Sequence, residues 1–510
     1  MTADPDWVRR TDHVLLPDLG RVVSTLFLPG QEPGSPGSSR SSGVLDRVLA
    51  LSDEEVENEL LRLESTFGHR HRHLRETWEA NYELIRLRLT EREAITGPRT
   101  ALVGAFFTQE YAIQGAAILN PSMIAHPDQS GLPAGTIRFV MSMRSVGEGH
   151  LSSVELRTGV IDAEDVITFD PPPEVAVLPT PRPTRYSRVA LAHQLQNGDE
   201  HASAEEEADA GLVLAALPDE FTDADLGRAV ELLHAQSVTR ESAWRAAERF
   251  QRLAASTYTV VFPEDSDLQE RVLMPRAPRE SHGIEDVRLV RLAAVDGHIE
   301  HLGTYTAYDG HRIAVHMLQT TDFRTFSVAP LSGPGARNKG LALFPRPIGG
   351  RYLALSRADR ENNAITTSND LLHWDRPVRI QVPERPWEII QLGNCGPPIE
   401  TEHGWLVLTH GVGPMRGYSI SAVLLDLEDP TVVLGRLTEP ILTPQESERS
   451  GYVPNVVYSC GAMVHGRTLV LPYGCSDAQI RIALVDLDAL LGALRATDRS
   501  VVQRAAEVQA

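Results

Sequence analysis

Cysteine is scarce in this chain of 510 residues: Cys395, Cys460 and Cys475 are all there are, an odd number without CxxC spacing. That composition excludes a disulfide framework, argues against a cysteine-built zinc site and fits a reducing compartment. Long apolar runs are missing too. No stretch reaches the roughly 18 apolar residues a membrane helix needs, and the opening MTADPDWVRRTDHVLLPDLG has no apolar leader core. Positive charge is also in deficit, with 48 basic against 69 acidic side chains and a net charge of −21. Phosphate-backbone affinity comes from Lys and Arg, so such a balance opposes general nucleic-acid binding. The expectation is a cytoplasmic protein with neither nucleic acid nor membrane as partner. Hydrophobic content of 42% still suffices for a large core.

The chain divides by composition. QEPGSPGSSRSSG at 31–43 reads as a flexible linker. From Val44 to about Arg92 the pattern is helical, and Ser52 with Glu55 forms a capping box that opens a helix. His69, His71 and His73 alternate with arginines and read as a solvated basic face rather than a metal site. The acidic stretch QNGDEHASAEEEADAG at 196–211 reads as a solvated loop. A second helical block covers about 222–256, started by Thr222 and Asp225 and carried by Leu226, Ala229, Leu232 and Leu233.

The remainder reads as strands, and it repeats. Four segments open on a turn glycine followed by short apolar strands. Gly297, Gly350, Gly404 and Gly466 are spaced 53, 54 and 62 residues apart. A fifth copy starts at Gly135. A period near 50 with several strands per unit predicts propeller blades, since one blade cannot bury both faces alone. A β-sandwich of hairpin repeats is the alternative. The expected architecture is mainly β: a five-bladed propeller over 100–490 with a helical insertion at about 200–256. An N-terminal extension over 1–99 and a helical tail over 491–510 flank it.

Loops at one end of a propeller converge on its channel, so polar residues at strand ends are the candidates. In Gly283–Arg288 (GIEDVR), strand alternation predicts Glu285 on one face and Asp286 with Arg288 on the other. A carboxylate beside a guanidinium there serves either as a general acid or as a structural ion pair. Arg337, Asn338 and Lys339, with Arg357 one strand later, suit phosphate or carboxylate, or are ordinary surface charge. Gly333 and Gly335 form no P-loop, as no GK[ST] follows. His410 ends an apolar strand, and Tyr452, Tyr473 and Asp477 occupy turns of the last blades.

These segments resemble glycoside hydrolase family 130, the β-mannoside phosphorylases and their hydrolytic relatives. The matching pieces, in order, begin with NPSM at 120–123 with Arg144, then GIEDVR at 283–288 and RNKGLALFPRPIGGRYLALSR at 337–357. SNDLLHW at 368–374, PPIETEHGWLVLTHGV at 397–412 and GYVPNVVYSCG at 451–461 complete them. The resemblance implies a five-bladed propeller and a single catalytic acid, Asp286, which protonates the glycosidic oxygen through a sugar hydroxyl. Phosphate then displaces the leaving sugar with inversion, giving a sugar 1-phosphate. It further implies a phosphate pocket of Arg337 or Lys339 with Arg357, His410 and the position of Gln391. Asn120, Arg144, Glu285, Arg288, Asn338, Tyr452, Tyr473 and Asp477 would contact sugar. No cofactor or metal is implied, beyond phosphate as co-substrate, and a homo-oligomer is compatible.

Two positions depart from the family pattern. Val287 stands where proline is common, and Gln391 stands where phosphorylases generally carry lysine. The second departure keeps an inverting β-mannosidase open, with Glu148, Glu361 or Glu446 as base. A carbohydrate-binding propeller without turnover is the third reading.

Overall fold

Each glycine that opens a repeat occupies a turn that other residues resist. Gly297, Gly350, Gly404 and Gly466 have φ of 81°, 79°, 141° and 56°, where an L side chain is strained. They lead into Ile299–Tyr308, Tyr352–Ser356, Gly404–Val412 and Thr468–Cys475. Gly135, at φ 78°, leads into Ile137–Val146 in the same way. The computed structural model describes residues 4–29, 38–86, 95–196, 202–236, 240–294 and 297–496.

Among those residues the protein is mainly β with helices, in four sheets of four or more strands plus two two-stranded pairs. The repeats do not all separate. Ser152 pairs with Gly283 in a single parallel bridge, which joins two repeats into one eleven-stranded sheet. No sheet of the described residues closes on itself. Apolar side chains pack between adjacent sheets. Leu406, Leu408 and Ile420 of one meet Leu469, Leu471 and Ala483 of the next.

The N-terminal hundred residues do not stand wholly apart. Strand Val8–Leu15 pairs antiparallel with Gln479–Asp486 and so belongs to the last sheet. Helices Ser38–Leu49, Asp53–Phe67, Leu74–Arg86 and Pro98–Phe106 bury Leu45, Leu60, Trp78, Tyr82 and Leu102 in a core of their own. The Ser52–Glu55 capping box forms as expected. The histidine run is not a helical face: Gly68–Arg70 is a short 3₁₀ turn, and His71 is buried with Nε2 2.7 Å from Glu110. Of the expected linker, 31–37 lies outside the described residues, while Ser38 onward is helix.

The helical insertion leaves and re-enters through paired strands, Thr180–Arg182 and Tyr258–Val261, at the edge of the large sheet. Its helices are Arg188–Gln196, Ala204–Ala216, Asp223–Gln236 and Arg240–Ala255. They bury Leu191, Val213, Phe221, Leu226, Leu233 and Phe250 together. The insertion thus begins well before residue 200, and the acidic segment expected to be a loop is largely helix. Ser203 caps it with Glu206 in a reciprocal box. Three consecutive glutamates, Glu205–Glu207, fill its first turn, where negative charge complements the helix dipole. Acidity that looks like solvation in sequence is a start signal in structure. Residues 197–201 lie outside the described set, as do 497–510 of the expected C-terminal tail; helix Leu487–Arg495 precedes them. No described helix is long and apolar enough to cross a membrane.

Candidate active site

Two slips in strand register build the floor of a large cavity. The pairing of Ala117–Ala125 with Ile137–Val146 shifts between Leu119 and Ser122. That of Gly283–Ala293 with Ile299–Tyr308 shifts between Glu285 and Arg288. At the slips, Asn120 and Asp286 take φ of 52° and 59°. Asn338 and Asp477, elsewhere on the same wall, have φ of 65° and 48°. Asn and Asp tolerate this left-handed region best, yet it still stores strain, and such strain concentrates at functional sites.

The bulge overturns the alternation expected for Glu285 and Asp286. Both carboxylates meet the same guanidinium: Arg144 Nη2 donates to Glu285 Oε1 at 2.8 Å, and Nη1 lies 3.7 Å from Asp286 Oδ1. Lys339 Nζ donates to the other Glu285 oxygen at 2.5 Å. Asn120 Nδ2 donates to Asp286 Oδ1. Arg288 is buried beneath rather than exposed to the cavity. Its Nη1 donates to the Asp286 carbonyl at 2.9 Å and its Nη2 to the Tyr458 hydroxyl at 2.7 Å.

Burial alone would raise the pKa of Asp286. The positive charges of Arg144, Lys339 and Arg288, with the Asn120 bond, outweigh it and hold the carboxyl below the usual range. Asp477 goes the other way. Burial first, and then the nearby charge of Asp286, push it up to about 6. Across the window from about pH 4 to about 6 the folded chain keeps a proton at Asp477 that the unfolded chain has released, so this group's contribution to stability falls as pH rises through it. Asp477→Asn is therefore expected to stabilise the fold by about 2 kcal/mol at neutral pH and not at pH 4. Urea unfolding at both pH values measures it; an equal effect at both would contradict the assignment.

A second group sits deeper. Arg357 Nη2 donates to the Arg360 carbonyl at 2.9 Å, while its buried Nε has no hydrogen-bond partner. His410 Nδ1 lies 3.1 Å from the Asn394 carbonyl, which fixes the proton on Nδ1 and leaves Nε2 as an acceptor. Burial, then the positive charges of Arg357 and Arg288, keep this imidazole neutral well below its ordinary pKa. Tyr418 stacks on the ring at 5.9 Å and Tyr458 meets it edge-on at 4.9 Å. Gly393 permits this packing, since a Cβ there would fall 2.3 Å from His410 Cε1 and 2.6 Å from Arg357 Cδ.

Most of these groups open on one cavity of about 1140 Å³. Asn120, Arg144, Asp286, Arg337, Asn338 and Lys339 line it, as do Arg357, Gln391, His410 and Asp477. Glu285 reaches it through its two cationic partners. Tyr452 and Tyr473 do not. Tyr452 is 57% exposed and pairs with His150 outside the cavity. Tyr473 is buried in the last sheet, where its hydroxyl donates to Glu448 and accepts from Arg10 of the N-terminal strand. Glu148, Glu361 and Glu446 do not line the cavity either; its lining carboxylates are Asp286 and Asp477. Sequence reading missed Gly393 and Tyr458, although Tyr458 lies inside the GYVPNVVYSCG segment. It also missed Arg249, Arg252 and Ser256 of the insertion, whose helical spacing was the available signal. No cluster of three or more His, Cys, Asp or Glu that could hold a metal occurs among the described residues.

A family model described as beta-1,4-mannooligosaccharide phosphorylase matches residues 260–496. The 1,2-beta-oligomannan phosphorylase of Thermoanaerobacter sp. is 34% identical over 229 residues, covering 43% of this chain and 74% of that protein. The beta-1,4-mannooligosaccharide phosphorylase of Ruminococcus albus is 33% identical over 191 residues, 35% of this chain and 57% of that one. Among solved structures, the beta-1,2-mannobiose phosphorylase of Listeria innocua aligns over 74% of this chain and 92% of its own. That alignment has 22% identity and a TM-score of 0.44.

Proposed function

Because this chain belongs to glycoside hydrolase family 130, we propose that it is an inverting phosphorylase of β-mannosides, with Asp286 as its acid. The observation that carries this reading is the Arg357 guanidinium, which lines the same cavity as Asp286 beside a neutral His410 and whose hydrogen bond goes to the uncharged Arg360 carbonyl. A buried guanidinium with an unspent donor is a site for an oxyanion. Phosphate there would arrive already anionic and need no protein base. Lys339 would supply a second positive charge and Gln391 a neutral amide. The family resemblance adds the proton route: Asp286 protonates the glycosidic oxygen by way of a sugar hydroxyl. The C1–oxygen bond of the mannoside breaks, a C1–O–P bond forms on the opposite face, and the leaving sugar departs with the proton.

Asp286 is held ionised by the cations around it. A bound phosphate offsets those cations, so the proton needed for catalysis is taken up when phosphate binds. Asn120 and Arg144 would hold the carboxyl and the reacting sugar in register. The five glycine-led repeats would be the five blades of a propeller, two of them bridged through Ser152 and Gly283, with the cavity at its channel. The three free, buried cysteines fit the reducing cytoplasm.

Purified protein incubated with β-1,2- and β-1,4-mannobiose, with and without phosphate, tests the reading. Mannose 1-phosphate formed only with phosphate is expected; free mannose at equal rates in both would establish a hydrolase instead. Gly393→Ala is expected to raise the KM for phosphate by about tenfold or more, through displacement of His410 and Arg357. Initial rates over a phosphate series measure it, and an unchanged KM would remove those two side chains from the phosphate site.

A further inference from the structure

A histidine outside the Asp286 and Arg357 groups also lines the cavity. His316, on Ile313–Thr320, is fully buried, and its Nε2 has no hydrogen-bond partner among the described residues. A buried polar nitrogen left in that state costs free energy, so one that borders a cavity is a place for a ligand. Its other nitrogen is well provided for. Nδ1 lies 3.3 Å from the Tyr305 hydroxyl and 3.6 Å from Glu280 Oε1. Tyr305 donates its own proton to that same Glu280 oxygen. Glu280 is buried too, and it accepts from the Tyr258 hydroxyl at 3.1 Å and from the Arg276 and Ala277 amides at 2.8 and 3.0 Å. So many donors hold a carboxylate ionised. Nδ1 therefore faces two acceptors and carries the proton, which in the neutral ring leaves Nε2 as an acceptor.

Strand register relates this ring to the acid. Glu285 pairs with Thr306 and Arg288 with Thr304, so the bulge that carries Asp286 faces Tyr305. Tyr305 pairs with His316, and His316 with Pro330. At the usual strand spacing the His316 backbone lies about 10 Å from that of Asp286, close enough for one substrate to meet both. The phosphate group comes from elsewhere: His410 packs on Tyr458, which accepts from Arg288 of the Asp286 strand. His316 lies two strands further across the sheet, where Gln194 of the insertion donates to the Pro330 carbonyl at 2.9 Å. In an inverting displacement the entering phosphate and the departing oxygen lie on opposite sides of C1. The arm of the cavity away from Arg357 and His410 is then the one open to the leaving sugar. A bare acceptor beside the negative charge of Glu280 opposes an anion there and suits a hydroxyl.

We propose that His316 Nε2 accepts a hydrogen bond from a hydroxyl of the leaving sugar, with Tyr305 and Glu280 as positioning residues that fix the proton on the far side of the ring. The inference rests on the phosphorolytic reading and deepens it, because it makes the departing group a neutral sugar chosen through one hydroxyl.

The test runs the reaction in reverse with the full chain and mannose 1-phosphate as donor. The acceptors are mannose or glucose, whichever reacts faster, and the 2-, 3-, 4- and 6-deoxy forms of that sugar. The form that lacks the attacking hydroxyl gives no product. One of the others is expected to fall about tenfold below the parent sugar in kcat/KM. In His316→Leu the parent should drop to the level of that form and the difference vanish, while KM for mannose 1-phosphate stays native and shows that the variant is folded. His316→Gln, whose amide can still accept, should keep part of the difference. Tyr305→Phe should reduce it with KM for mannose 1-phosphate unchanged, a split that a merely structural role would not give. Reactive deoxy forms all used as well as the parent by the unaltered protein would overturn the contact and leave phosphorolysis standing. So would a difference that survives His316→Leu. No product from either parent sugar would remove phosphorolysis itself, and this contact with it.

Discussion

Asp286→Asn is expected to lower phosphorolytic turnover by about 10²–10⁴-fold, the usual worth of a positioned acid, while the far-ultraviolet circular dichroism stays native. The amide keeps the size of the side chain and can still meet Asn120 and Arg144 in part, but it carries no transferable proton. The site geometry sharpens the expectation. Asp286 sits at φ 59° on a bulge, and Arg288 pins its carbonyl from below at 2.9 Å. The backbone is therefore held by contacts that the substitution leaves alone. The loss should appear in kcat, with a smaller change in KM for the mannoside, since the missing interaction acts in the transition state. Near-normal turnover in this variant would end the assignment. A better-activated leaving group, such as a nitrophenyl mannoside, should recover part of the rate because it needs less protonation.

The second large effect belongs to Arg357. Arg357→Ala removes a buried guanidinium whose Nε faces no protein acceptor. Truncating one partner of a buried, hydrogen-bonded charge pair costs about 2–5 kcal/mol. The kcat/KM for phosphate should thus fall by roughly 30- to several-thousand-fold, with the loss showing chiefly as a raised KM for phosphate. His410 should respond as well. Its pKa is depressed by burial and by the charges of Arg357 and Arg288, so removing one of them moves it upward. Titration of the His410 ring by NMR in both proteins reads that shift. An unchanged phosphate KM would place phosphate elsewhere in the cavity, and Lys339 would become the next residue to test.

Much of this site was legible in the sequence because its parts lie in short ordered segments. Asp286, Arg337, Asn338, Lys339, Arg357 and His410 all come from quoted motifs, and the structure brings all six to one cavity. What was not legible depends on geometry that a linear pattern does not carry. Alternation assigned Glu285 and Asp286 to opposite faces, yet one inserted residue in the ladder turns both toward Arg144. Tyr473 sits at a strand end like the others, but Arg10 of the edge strand Val8–Leu15 and Glu448 claim its hydroxyl. The wall supplied by Arg249 and Arg252 is more distant still, since it needs the insertion to fold back across the strands near Pro330. The fold shows the same division. The repeat of turn glycines announced the strands, whereas the bridge between Ser152 and Gly283 is a tertiary fact with no local signature. In the helices, Ser52 with Glu55 was readable, and Ser203 with Glu206 was hidden by the acidity around it.

Strand Val8–Leu15 has one further consequence, for the order in which the chain can be finished. Its partner, Gln479–Asp486, is made on the order of 470 residues later. At about 5–20 residues per second, the first strand waits roughly half a minute to a minute and a half on the ribosome before any register can form. During that interval Arg10 lacks Glu448 and Tyr473, and the strand offers an open edge to other nascent chains. The last sheet therefore cannot be completed until Gln479–Asp486 has been made. Its neighbours can assemble first, and strand Val8–Leu15 acts as the late fastening of that sheet.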